Sequence, residues 1–167
     1  RTLFAPEMEA FQSATMADGG CVCFDSGEEV RVVFGLYTRG ESPWRAAMKA
    51  AADLLDRVER FARSTHLPVD ARIGVSTDWV PAQTASSVSP DATLRGSTVD
   101  VAVRLARMAL PGQAVLDDMT RSRVAREFDF TDLGRIRVRG RDRPTRIFGM
   151  GGAAAAGLQK AAGAGDR

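Results

Sequence analysis

Histidine and cysteine are scarce in this chain. His66 is the only histidine, and Cys21 and Cys23 are the only cysteines among 167 residues. Two cysteines at i and i+2 on a strand share a face, a geometry ill suited to bridging them to each other. No histidine lies near them, so a tetrahedral N/S metal set is not expected. They read as two buried thiols, and the chain as a cytoplasmic protein. His66, in "RSTHLP", reads as a solvated turn residue. No apolar run approaches the roughly 20 residues of a membrane helix. No signal-peptide pattern is present, and the first residue is Arg1 rather than Met. A piece of a longer protein, or a processed one, is therefore expected. Charge of one sign is also lacking: Lys and Arg total 23 against 21 Asp and Glu, a net of +2. That excess is too small for a global attraction to nucleic acid or an anionic membrane.

What is present is an ordinary globular balance, 44% apolar and 26% charged. This length suits one domain with a real core. Residues 6–17 read as a short helix with Met8, Phe11 and Met16 inward. "CVCF" and "VRVVFG" flank "DSGEE" and read as a hairpin. Ser42-Pro43 opens a helix running to about Arg63, with Trp44, Ala47, Met48, Ala51, Leu55, Val58 and Ala62 at helical spacing. "VDARIGVST" is a strand, Val80 to Arg95 a loop, "QAVLDD" a strand, and Met119 to Ala125 a short helix. "FDFTDLGRIRVRG" and "TRIFGM" make a closing hairpin. From Gly151 the Gly/Ala-rich residues 151–167 read as a linker or disordered tail. The expected architecture is α/β (α+β), a mixed sheet flanked by helices.

The stretch "GSTVDVAVRLARMALPGQAVL" carries the densest pattern. Asp100, Arg104 and Arg107 fall at i, i+4 and i+7 and so line one helix face, while Val101, Leu105 and Met108 repeat the spacing on the next. Ser97 or Thr98 can cap the start, and Pro111-Gly112 stops the helix. On spacing alone, Asp100 and Arg104 make an i,i+4 surface ion pair worth a few tenths of a kcal/mol.

Three stretches together resemble the class III adenylyl/guanylyl cyclase catalytic domain. "GGCVCFDSGEEVRVVFG" matches that family's two-strand hairpin, and "ARIGVSTDWV" the strand that usually ends Ile-Gly-x-His-Thr-Gly. "GSTVDVAVRLARMALPGQAVLDDMT", followed by "FDFTDLGRIRVRGRDRPTRIFGM", matches its C-terminal third, with "VxxAxRL", "PGQ", "DLG" and "RG…P" in order. The resemblance spans Ala17 to Met150. It implies a ferredoxin-like cyclase fold over residues 1–150 that lacks the family's first strand. That strand normally lies mid-sheet, so its absence exposes strand edges.

The resemblance also implies roles. The family's helix carries an Asn that orients the ribose and, four residues on, an Arg that stabilises phosphate charge. Arg104 falls on the Arg position, where a guanidinium fork suits phosphate oxygens. Asp100 falls on the Asn position, where an ionised carboxylate can only accept hydrogen bonds. Two Asp side chains normally hold two Mg²⁺ or Mn²⁺ ions for the cyclisation. The first would lie on the missing strand, and Glu28 takes the place of the second. Asp25 and Glu29 lie in the same turn, so a cation site on the three acids is the alternative to a solvated acidic turn. Phe24 takes the place of an adenine-recognising Lys, where a ring could stack on a purine or simply pack in the hairpin. Thr93 takes the partner position in base selection, and Arg139 that of a phosphate-contacting Lys. Arg139 belongs to a run with Arg135, Arg137, Arg141, Arg143 and Arg146. The first two and Arg139 have the period of a solvated strand face. The expectation is a cyclase homology domain of a signalling protein, inactive or impaired, binding ATP or a related nucleotide weakly or not at all. It would act through a homo-oligomer or neighbouring domains. The alternative is a fragment of an active adenylate cyclase, converting ATP to 3′,5′-cyclic AMP and pyrophosphate.

Overall fold

The computed structural model describes residues 2–36, 42–78, 97–138 and 142–152. Ten elements run through them in the order the sequence predicts. They are α1 (Ala5–Ala17), β1 (Gly20–Asp25), β2 (Val30–Phe34), α2 (Pro43–Thr65), β3 (Arg72–Val75), α3 (Ser97–Met108), β4 (Gln113–Asp117), α4 (Asp118–Val124), β5 (Thr131–Ile136) and β6 (Thr145–Gly151).

Among these residues the strands form two sheets rather than one. The hairpin β1–β2 stands as an antiparallel pair, and the other four strands follow the order β3-β4-β6-β5. The larger sheet is mixed: β4 runs parallel to β3 and antiparallel to β6, which is antiparallel to β5. β4 occupies the interior, and each of its residues is buried. Its near-continuous apolar run is what a strand covered on both faces requires. On one face lie Val101, Leu105 and Ala109 of α3 with Val115, Val138 and Ile147. On the other lie Met48 of α2, Val124 of α4, Leu116 and Phe148, flanked by Trp44 and Phe128. α1 covers the hairpin, and α2 packs on both β2 and β3.

Several inward assignments change. Met16 and Met108 are exposed, whereas Thr15 and Ala109 are buried. In each case the buried residue lies four beyond a buried anchor, Phe11 or Leu105, and so directly above it on the helix. A small side chain fits there against the neighbouring element, and the methionine one position earlier or later swings to the surface. In α2, Ala46 is buried while Ala47 is only half-buried. Cys21 and Cys23 are half-buried thiols rather than buried ones. A register shift between Val22 and Phe24 interrupts the pairing at Cys23. His66 is exposed, as expected of a solvated residue, but it also ends α2 in the left-handed region at φ 55°. That C-terminal position usually takes glycine or asparagine.

The "PGQ" turn has a physical reading. Gly112 sits at φ +72°, accessible to glycine at little cost. Its N–H donates to the Ala71 carbonyl at 2.9 Å. The Gln113 side chain accepts from the Leu110 N–H at 3.1 Å. The turn thereby closes α3 and delivers the chain beside β3.

Candidate functional site

α3 carries the predicted pair. Asp100 and Arg104 are both exposed, on the side away from the buried Val101, Leu105 and Ala109. Their ion pair, allowed by the spacing, is not formed: no contact within 4.0 Å joins them, although i,i+4 pairs do form at Asp53–Arg57, Asp56–Arg60 and Glu59–Arg63 of α2.

The position of α3 is set by Gly74 of β3. A Cβ there would lie 1.9 Å from the Ala102 carbonyl oxygen and 2.5 Å from the Ala106 nitrogen. The helix backbone therefore rests directly on the strand at glycine, at the residues two before and two after Arg104. At its start, the Thr98 hydroxyl donates to Asp78 Oδ2 at 3.0 Å. Thr98 is thus tied to the segment after β3 rather than spent on capping.

That segment is anchored by Asp117, which the sequence reading did not single out. Asp117 is completely buried. Its Oδ1 accepts from the Thr120 N–H at 3.0 Å and the Thr120 hydroxyl at 2.6 Å. Its Oδ2 accepts from the Ser76 hydroxyl at 2.8 Å and the Thr77 N–H at 3.3 Å. One carboxylate thereby caps α4 and pins the end of β3 to the end of β4. An Asp between a strand and a helix is a recognisable capping signal in sequence; its reach across to Ser76 and Thr77 is not.

The hairpin carries Phe24 and Glu28, both exposed. Phe24 lies opposite Arg31 on β2, and the Arg31 guanidinium sits 4.8 Å over its ring centroid. Arg31 in turn bonds Glu29 at 2.6 Å. Phe24 therefore packs within the hairpin against a cation, with 42% of its surface exposed. Arg31 itself was missed, although the period-two register of the hairpin places it opposite Phe24. Asp25 is also engaged: it accepts from the Gln12 amide and the Gly27 N–H, each at 2.7 Å.

Mg²⁺ requires a near-octahedral oxygen cage. Among the described residues no three His, Cys, Asp or Glu side chains converge in a way that could hold a cation. With Asp25 and Glu29 turned to protein partners, the acids of the turn do not make the two-ion arrangement. The described donors do not fit the metals the resemblance implies. Thr93, Arg139 and the loop from Val80 to Arg95 lie outside the described residues. β5 ends at Ile136, so Arg137 lies beyond the strand that carries Arg135. The hairpin packs on α1 and α2, and α3 on β3 and β4. The two halves of the predicted set thus ride on separately supported elements.

The sequence pattern of the Adenylate and Guanylate cyclase catalytic domain matches residues 25–150. The chain belongs to that family. Its fold is similar to the adenylate/guanylate cyclase/hydrolase from Silicibacter pomeroyi, at 21% identity and a TM-score of 0.67, covering 91% of this chain and 83% of that one. It is similar to the adenylyl cyclase CyaB from P. aeruginosa at 20% identity and a TM-score of 0.66, covering 91% and 82%. A dimeric guanylyl cyclase domain of the RhoGC fusion protein from the aquatic fungus Blastocladiella emersonii matches at 16% identity and a TM-score of 0.66, covering 90% and 82%. Among curated proteins, no sequence matches the chain. None of the described helices is long and apolar enough to cross a membrane.

Proposed function

We propose that this cyclase-family domain is a regulatory module of a signalling protein, catalytically inactive or impaired as this chain. The observation that carries the reading is the hairpin turn. In it Asp25 is held by Gln12 and Gly27, Glu29 by Arg31, and the ring of Phe24 lies under the same arginine. A cyclase needs this turn to present carboxylate to metal and a hydrogen-bond donor to the base. Here Glu28 stands at the position of the first task, and a phenyl ring cannot perform the second. Cyclisation depends on positioning and on metal charge, so a partial set loses many orders of magnitude rather than a modest factor. On this reading the domain is cytoplasmic and works through a homo-oligomer or neighbouring domains, and nucleotide binding is weak or absent.

One observation favours the second reading, an active adenylate cyclase. Arg104 projects from α3 unpaired with Asp100, which leaves its fork free of that carboxylate and able to meet phosphate oxygens. The two readings separate in one assay. The chain is incubated with ATP or GTP and Mn²⁺, and cyclic product is sought by mass spectrometry. No turnover above an Arg104→Ala control is expected. Turnover above it overturns the non-catalytic reading.

A further inference from the structure

A second basic site lies on the opposite side of the larger sheet from α3. Arg121 of α4, Arg135 of β5, and Arg146 and Phe148 of β6 line a half-open cavity of about 290 Å³ together with Asp118 and Pro144. Arg135 and Arg146 are direct cross-strand partners. Like charges in that position repel, so their placement is unfavourable unless something neutralises them. Arg146 is partly neutralised by Asp132, with its Nε 3.0 Å from Oδ2. Among the described residues no carboxylate comes within 4.0 Å of the Arg135 or Arg121 guanidinium, although Asp132 also attracts Arg135 at longer range.

The cations are also held in place. Phe148 is 8% exposed, and its ring carries the Arg121 guanidinium at 5.1 Å and that of Arg146 at 5.6 Å. A buried ring beneath two planar guanidiniums orients them before any ligand arrives, which reduces the entropy lost on binding.

We infer that this cavity is a binding site for a small phosphomonoester. Arg121 and Arg135, with Arg146 beside them on Asp132, put guanidinium donors around one space, which suits the several acceptor oxygens of a phosphate dianion. The volume lies at the lower end of ligand pockets, which suits a phosphate on a short carrier. Asp118, an acceptor in the lining, suits a hydroxyl group on that carrier. Nothing in this site depends on whether the cyclase machinery of α3 and the hairpin is active.

The test is titration calorimetry of the whole chain with inorganic phosphate and with glycerol 3-phosphate. Three variants are compared: Arg121→Gln/Arg135→Gln, Arg121→Lys/Arg135→Lys, and Arg104→Ala. All three positions substituted are exposed, and circular dichroism checks that each variant is folded. Saturable binding is expected in the wild type, tighter for glycerol 3-phosphate, and weakened at least about tenfold in the Gln pair. The Lys pair, which keeps charge but loses the fork, should fall between, and Arg104→Ala should bind as the wild type does. The inference is overturned by no saturable binding in the wild type. It is equally overturned if the Gln pair binds unchanged, or if Arg104→Ala removes the binding, which would place the anion on α3.

Discussion

Replacing Gly74 by alanine tests how the helix that bears Asp100 and Arg104 is held. In a strand, glycine to alanine alone should stabilise, by up to about 1 kcal/mol, because glycine has more freedom to lose on folding. The space at this position reverses the sign. The new methyl would stand 1.9 Å from the Ala102 carbonyl oxygen and 2.5 Å from the Ala106 nitrogen, where ordinary contact begins near 3.4 Å. Both atoms are backbone of α3 and cannot rotate away. The helix must therefore retreat by roughly 1.5 Å, and Val101, Leu105 and Ala109 withdraw with it from Val115 and Ile147. Overpacking costs about 1–3 kcal/mol, and loosening a core layer adds to it. A net loss of about 3 kcal/mol lowers the melting temperature by roughly 6–12 °C for a domain of this size. Thermal unfolding followed by near-ultraviolet circular dichroism measures it. A Gly74→Ala variant as stable as the wild type, or more so, would refute the argument that α3 rests on this glycine.

Asp117→Ala removes the cap of α4 and leaves the buried donors of Thr120 and the half-buried donors of Ser76 and Thr77 without their acceptor; a loss of about 2–4 kcal/mol is expected by chemical denaturation. Asp132 and Glu127 both titrate below their usual range, chiefly through side-chain hydrogen bonds from Arg146 and Arg45. A carboxylate depressed in the folded state adds stability above its unfolded pKa, and that contribution disappears as pH falls through the lower folded value. Stability should therefore decline on acidification through and below the ordinary carboxylate range, and Arg45→Ala/Arg146→Ala should flatten that decline in a melting series against pH. Both sheets end on edges unpaired among the described residues, which invites pairing with another chain. Light scattering should show an apparent mass that rises with concentration, whereas a constant monomer mass would count against it.

The order of helices and strands was legible from the sequence because local rules write it. Helical spacing marked α2 and α3, alternation marked both hairpins, and Pro111-Gly112 marked the end of α3, where Gly112 takes a positive φ. The family was legible too, since "VxxAxRL", "PGQ" and "DLG" sit on a helix, a turn and a bulged strand whose local chemistry needs those residues. In "DLG", Asp132 accepts from the Gly134 N–H at 2.8 Å, across the register shift. What sequence could not decide were the relations between elements. That Asp100 and Arg104 stand apart, that Arg31 covers Phe24, and that Arg121 joins Arg135 and Arg146 at one cavity are outcomes of packing. So is the burial of Thr15 and Ala109 in place of the neighbouring methionines. Periodicity states which residues share a face of one element. Only the distance between elements, set at points such as Gly74 and Asp117, determines what that face meets.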